Sequence, residues 1–438
     1  MLLRDWIGRA LADGRTGYFA RRVVARASPL DFAAMSGERQ YRDALAGLYA
    51  QTDTAWLTPA EIFQPHYAEA IARSLVARHA RAYGAAEPLQ IVEVGGGNGT
   101  AALGILDYLR RAAPDAFATC RYLSLEVSPL LAEVQRQRLA DAGVGSDTFT
   151  VVHAPFDEWR GRLTDGVVDL GGPWHAVALE VLDNLPHDKI RLIRRHAPRD
   201  ADADADGYAT DLYEARVTPP PPSAPPTSRR GHESWEPLAD ELLTRVVSII
   251  GLATHAGVDA LEEDMLNPPG SGIAGEFTSG AFGAMSALIG FTGGPASSRD
   301  VFVPTGAYRL LRFLADTFTE HQLTLADFSY LPPQPSGAPL APVVQRRVDG
   351  VTRDLGGDYL ASPGEADIMA PTHFPSIAAM YAACGGRHEP SIHSTREFMA
   401  RYHHDAAEGG RSATATASGY DPMVDDFVNT AVLLTGEA

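Results

Sequence analysis

The chain has 438 residues, 45% of them hydrophobic and 21% charged, enough to bury a sizeable core as one large domain with insertions or as two domains. A formal net charge of −18 argues against nonspecific binding to nucleic acid or anionic lipid. Cys120 and Cys384 are its only cysteines and make neither a disulfide framework nor a zinc pattern, and no apolar run reaches about 18 residues, so a reducing compartment and no membrane span are expected.

The first 26 residues hold arginines at 4, 9, 15, 21, 22 and 26 against Asp5 and Asp13. That balance tilts toward a mitochondrial transit peptide, although the acids and the absence of serine before Ser28 run against it. Residues 1–84 read mostly as helix, with Tyr67, Ala70, Ile71, Leu75 and Val76 in an apolar stripe. In the block Leu57 to Gln64, Thr58 suits a cap, Pro59 the first helical position and Glu61 the third position of a capping box.

From 89 to about 195 strand and helix signals alternate. Strands are predicted at 89–94, 121–126, 148–152 and 175–180, with helices at 99–112 and 128–141. Their continuous apolar runs imply parallel strands covered on both faces. A break over 199–234 contains the Ala201–Asp206 alternation and a proline cluster at 219–226, which reads as a solvated linker. Residues 236–266 suggest an inserted amphipathic helix or pair of helices, and 268–300 is rich in glycine and serine. The α/β pattern resumes with a helix at 305–319 and a strand at 322–326, then a proline-rich loop at 331–342, a strand at 343–349 and a helix at 393–405. The expected organisation is an N-terminal helical region (1–84), half of an α/β domain (85–198), a linker with an inserted helical segment (199–300), and the rest of the α/β domain with a tail (301–438).

Chemistry concentrates at the carboxyl ends of the predicted strands. Ile91-Val92-Glu93-Val94 runs into glycines at 95, 97 and 99 and then into an apolar helix. In a dinucleotide fingerprint the third glycine falls three places after the second, where this chain has Thr100. Glycine instead recurs every second residue behind Glu93, the spacing of S-adenosylmethionine pockets; a bland turn without ligand is the alternative. Glu126 ends the second strand, where a carboxylate accepts two ribose hydroxyls or merely caps the next helix, a job Ser128 can already do. Phe156 and Asp157 follow the third strand, placed to give an adenine ring a face and its amino group an acceptor. After the fourth strand come Glu180, Asp183 and Asn184. Two carboxylates three apart can grip a cationic acceptor, align a guanidinium and take up a proton, or can cap the following helix.

Lys189 is the only lysine, which argues against lysine-dependent Schiff-base chemistry. His66, His373, His393, His403 and His404 lack metal-ligand spacing and read as surface residues, while Trp56, Trp159, Trp174 and Trp235 read as core or interface residues.

Four blocks give the chain a family likeness: "LTPAEIFQ" at 57–64, "VEVGGGNGT" at 92–100, "LSLEVSPLLAEVQ" at 123–135 and "ALEVLDNLPHDKI" at 178–190. Thinner likeness continues through 303–314, 342–347 and 367–377. The chain resembles the MidA-like methyltransferases, the mitochondrial complex I assembly-factor family of protein arginine methyltransferases. The resemblance implies a Rossmann-like class I methyltransferase sheet with an N-terminal helical region and inserted helical segments, S-adenosyl-L-methionine as cofactor, and a place in the mitochondrial matrix. It implies symmetric dimethylation of an arginine on a protein substrate, a core complex I subunit. Residue by residue, it gives Gly95, Gly97, Gly99 and Glu126 to the cofactor, closes Glu61 and Gln64 over it, and turns Glu180, Asp183 and Asn184 toward the acceptor. Where the family's loop reads "GPGRG", this chain has Gly96 and Asn98. A different methyl acceptor, or a cofactor-binding assembly scaffold without catalysis, are the competing readings. No metal and no nucleic acid are expected.

Overall fold

Ile91 and Val92 are wholly buried, the environment of a strand with neighbours on both sides and layers above and below. In the computed structural model, which describes residues 1–21, 28–50, 57–163, 166–196, 208–221, 223, 229–266, 298–348, 351–361, 363–403 and 412–437, that strand lies in the interior of a seven-stranded sheet. Its members are labelled in chain order: β1 (Gln90–Val94), β2 (Arg121–Glu126), β3 (Phe149–His153), β4 (Trp174–Leu179), β5 (His321–Phe328), β6 (Pro390–Ser394) and β7 (Thr430–Thr435). Arg22, Arg26, Trp56, His404, the run 201–206, half of the proline cluster 219–226 and nearly all of 268–300 lie outside the described residues.

The strand order is β3-β2-β1-β4-β5-β7-β6. β1 pairs in parallel with both β2 and β4, β2 with β3, and β4 with β5. β7 runs antiparallel between β5 and β6. The order reverses between β1 and β4, which opens a crevice at their carboxyl ends, where open α/β sheets bind ligands. This is the expected Rossmann-like arrangement. Residues 390–394 form the edge strand β6, which takes the first two residues of the predicted helix at 393–405, and the helix is confined to Thr395–Tyr402 behind a Ser394–Glu397 capping box.

The predicted linker is different. Strands Asp188–His196, Tyr208–Thr218, His232–Pro237 and Ser298–Val303 build a second, antiparallel sheet. The boundaries drawn at 198 and 300 therefore cut through one unit. Charge hid these strands: Asp211 and Arg216 break the apolar pattern, but they pair across the ladder with Arg195 and Glu236. The inserted helical segment is a pair of helices, Glu241–Ile249 and His255–Leu266. Among the described residues no helix is long and apolar enough to cross a membrane.

Helix Leu3–Ala12 buries Leu3, Trp6, Ile7, Ala10 and Leu11 in the core shared by the two sheets. Its Arg4 guanidinium spans Asp188 (2.7 Å) and Asp240 (2.8 Å), and the Met1 ammonium donates to the Val217 carbonyl at 3.0 Å. Arg4 is thus a structural cation of the fold. Asp188, with 1% of its side chain exposed, would be left as a buried acid without its ion partner in an Arg4→Ala variant. That substitution is expected to lower unfolding free energy by about 3 kcal/mol, measured by denaturant titration. A change below about 0.5 kcal/mol would show that the pair does not hold the helix.

Candidate functional site

A cavity of about 430 Å³ lies over the carboxyl ends of β1 to β5, within the size range of small-molecule sites. Its floor comes from the loops after the strands, and Gly8 and Leu11 of the first helix and Glu61 of helix Pro59–Ile62 contribute to its roof. Of the residues singled out from sequence, Glu61, Glu93, Gly95, Gly97, Glu126, Phe156, Asp157, Glu180, Asp183 and Asn184 all line it. Gly99 and Gln64 do not.

The glycines divide the work of the turn after β1. All three predicted ones have positive φ: 72° at Gly95, 54° at Gly97 and 72° at Gly99. Only at Gly97 would a Cβ project into open space; at Gly95 it would meet the Val181 side chain at 2.8 Å, and at Gly99 the side chains of Gln135 and Leu139 at 3.2 Å. Gly99 therefore serves close packing on helix Pro129–Asp141, and of the three only Gly95 and Gly97 line the cavity. Gly96 is constrained by chemistry, since a Cβ there would lie 2.8 Å from Glu93 Oε2.

Helix Pro59–Ile62 is docked onto this loop by Glu61. Thr58 makes no side-chain cap; Glu61 Oε1 instead accepts from Asn98 Nδ2 at 3.2 Å and from the Thr100 hydroxyl. Gln64 stands behind, donating to the Glu61 carbonyl at 2.9 Å. Asn98 occupies the loop position that is arginine in the resembling family, but a guanidinium still reaches the loop: Arg138 donates to the Asn98 carbonyl and the Thr100 hydroxyl.

Two buried acids sit beneath the loop. Glu126 Oε2 accepts from the Gly97 amide (3.1 Å) and from Gln135 (3.3 Å), and Oε1 accepts from the Ser128 amide (2.9 Å). Burial nevertheless lifts its carboxyl to about 7, and burial lifts Glu93 to about 7 as well. Glu93 Oε2 is buried with no hydrogen-bond partner. Phe156 packs against Phe313 with ring centroids 5.6 Å apart, and Asp157 is paired with Arg309, which also lines the cavity.

The opposite end of the cavity is acidic. Glu180 follows β4 with a left-handed φ of 55°, a conformation that costs a non-glycine residue of order 1–3 kcal/mol and clusters at functional sites. Asp183 is 4% exposed, and its Oδ1 has no partner. Asn184 is turned by two bonds from Nδ2, to Asp367 Oδ1 (2.9 Å) and the Ile368 carbonyl (3.0 Å). Burial first, then the Asp327 charge, pushes Glu180 and Asp183 well above the usual carboxylate range. Neither acid caps a regular helix, because the segment 182–184 is a single 3-10 turn.

Asp327 and Asp367 were not found from sequence. Asp327 had a signal: it is the residue after the predicted strand 322–326, at the same kind of strand end as Glu126 and Glu180. Asp367 had none, since its strand Asp367–Met369 is three residues long and reaches the site only through the fold. Elsewhere, His403 and His373 are not surface residues. His403 is buried with Nε2 3.0 Å from Ser412 Oγ, and burial depresses His373 to about 4. Trp159 and Trp174 lie in the core as expected, and Trp235 is partly buried against it.

Residues 70–391 match a family described as "Putative S-adenosyl-L-methionine-dependent methyltransferase". No curated protein matches the chain. A solved superfamily member from Burkholderia thailandensis, bound to S-adenosyl-homocysteine, is similar with a TM-score of 0.55 at 15% identity, over 99% of this chain and 87% of that one. A native structure of an uncharacterized superfamily protein from the same organism gives a TM-score of 0.50 at 14% identity, again over 99% and 87%. At these identities the two structures bear on the fold alone.

The raised Glu93 carboxyl has a consequence for stability. The folded chain holds this proton up to about pH 7, whereas the unfolded chain releases it near 4.5, so Glu93 contributes fully below 4.5 and that contribution is lost as pH rises to 7. Glu93→Gln does not titrate. Its stability relative to the parent chain is expected to climb between pH 4.5 and 7 and then level off, as followed by thermal unfolding; a pH-independent difference would contradict the assignment.

Proposed function

The chain belongs to the family of S-adenosyl-L-methionine-dependent methyltransferases, and we propose that its methyl acceptor is the guanidinium of a protein arginine. S-adenosyl-L-methionine is the cofactor, and when bound it supplies a methyl group on an electrophilic sulfonium. The residues at the β1 and β2 ends fit it. Gly97 leaves open space where any other residue would place a Cβ, Glu126 has acceptor capacity beyond its three donors, and Glu93 keeps a buried oxygen unpartnered. On this reading Glu126 holds the ribose hydroxyls, Glu93 and the backbone at Gly95 and Gly97 hold the amino-acid end, and Phe156 and Asp157 flank the adenine, with Arg309 competing for Asp157. Glu61 and the first helix exclude water from above.

The observation that carries the acceptor assignment is Asp183 Oδ1, a buried carboxyl oxygen without a donor in a cavity that also exposes Glu180. A buried acid that lacks a partner is stabilised by a cation that brings hydrogen bonds with it. A guanidinium does so with five donors in one plane, and an arginine, once gripped, can be aligned with one nitrogen free. Glu180 and Asp183 would draw the positive charge toward the nitrogens they bind, leave the third nitrogen nucleophilic, and take the proton it sheds on methylation. Phe328 and Met369 line the same end and offer an apolar wall to the methylene stem.

The four sequence blocks extend the proposal to symmetric dimethylation of a complex I subunit in the mitochondrial matrix. Residence there requires that residues 3–12 stay on the folded chain, because Gly8 and Leu11 help to close the cavity.

Two variants separate the halves of the site. Asp183→Asn is expected to bind S-adenosyl-L-methionine as the parent does while methyl transfer to arginine falls at least a hundredfold. Glu126→Ala is expected to weaken cofactor affinity tenfold or more, about 1–3 kcal/mol. Calorimetry reads the first quantity, and isotope-labelled methyl transfer into a mitochondrial extract, followed by mass spectrometry for dimethylarginine, reads the second. Full turnover in Asp183→Asn, or label found only on small amines, would move the acceptor assignment elsewhere.

A further inference from the structure

Asp327 is the penultimate residue of β5 and does not line the cavity, yet it meets the acceptor loop more closely than any sequence motif suggests. Its Oδ2 accepts from the amides of Val181 and Asp183, both at 3.1 Å, and its Oδ1 accepts from the Phe328 amide at 2.7 Å. The side chain is fully buried. The Phe328 amide anchors the Asp327 side chain to its own strand, and the two turn amides, held on one carboxylate oxygen, fix the turn against it. The turn so fixed is the one that carries left-handed Glu180 and cavity-lining Asp183, whose Oδ1 is buried without a partner, and that receives Ala370 on the Asp183 carbonyl at 2.8 Å.

We propose that Asp327 is the positioning residue of the acceptor site: it holds the Glu180–Asn184 turn by two amide bonds, and its carboxyl group, set against those of Asp183 and Glu180, makes them a receptor for a cation. This rests on the reading of that end of the cavity as the acceptor site. The groups facing Asp327 are Glu180 and Asp183 on the turn, Asp367 from its short strand by way of Asp183, and the Tyr67 phenol from helix His66–Ala82. None of these brings a positive charge, so the neighbouring acids keep their protons until a cation arrives. Burial raises Asp327 itself to about 7, against the opposing pull of its backbone donors.

Asp327→Asn keeps the volume and removes the charge, and it turns one acceptor oxygen into an NH2 donor, so at least one of the three amides loses its acceptor. Removing a neighbouring anion favours ionisation of Asp183, so its carboxyl is expected to titrate at lower pH by about one unit or more, read by carbon-13 NMR of the full chain and assigned with Asp183→Asn. In the same variant kcat/KM for an arginine peptide is expected to fall at least tenfold while S-adenosyl-L-methionine affinity stays within twofold. A residue that only supported the fold would lower stability without moving the Asp183 titration, and that result would overturn the proposal. Should Asp327→Asn not fold, the parent chain still decides: the amide protons of Val181, Asp183 and Phe328 are expected to shift together with one pH midpoint, and unrelated midpoints would overturn it. The titration needs no acceptor. If it moves as stated while the parent chain fails to methylate arginine, the positioning role stands and the arginine assignment alone falls.

Discussion

Desolvation of carboxyl groups along one edge of a parallel sheet is the constraint on which this molecule turns. Glu93, Glu126, Glu180, Asp183 and Asp327 sit at or near the ends of β1, β2, β4 and β5, and burial is the largest cause of the raised carboxyl in every one of them. A protein that only needed a stable sheet would not bury five acids along one edge, because a buried polar group costs free energy unless its atoms find partners. The acids fall into two groups by what satisfies them. Glu126 and Asp327 are tied down by backbone amides and fix loops, while Glu93 and Asp183 each keep one oxygen without a donor. On the proposed reading, the unsatisfied oxygens are where ligands that bring donors and positive charge bind.

The rest of the chain keeps that edge dry and in register. The first helix is clamped by Arg4 between Asp188 of the second sheet and Asp240 at the start of helix Glu241–Ile249, and its inner face reaches the cavity. Glu61 ties the next helical block to the glycine loop through Asn98 and Thr100. Gln135 bonds the Gly97 carbonyl and the Glu126 carboxylate, so the helix after β2 braces the same loop from below. The second sheet has no place in the minimal nucleotide-binding design; here it is the anvil for the N-terminal helix.

Much of this is legible in the residues, and the misses have physical causes. β1 to β5 are visible because buried parallel strands are continuous apolar runs. Gly95, Gly97 and Glu126 are visible because the carboxyl end of such a strand is where a doubly wound sheet meets its ligand. The second sheet is not, since its charges are cancelled across strands in a way that only pairing shows, as with Arg195 and Asp211. Spacing assigns Gly99 to the ligand, but Gln135 and Leu139 press against it from a helix whose position the spacing does not encode. Asp367 escapes because it arrives at the Asn184 amide from 183 residues away along the chain, next to Ile368, whose carbonyl takes the other bond of that amide.

The central claim is that protonated acids at the acceptor end give up protons to admit a cation. Binding an arginine peptide to the full chain, loaded with S-adenosyl-homocysteine, can be followed by calorimetry at pH 6 in two buffers of different ionisation enthalpy. The account predicts net release of protons on binding. Binding with no release, or with uptake, would contradict it.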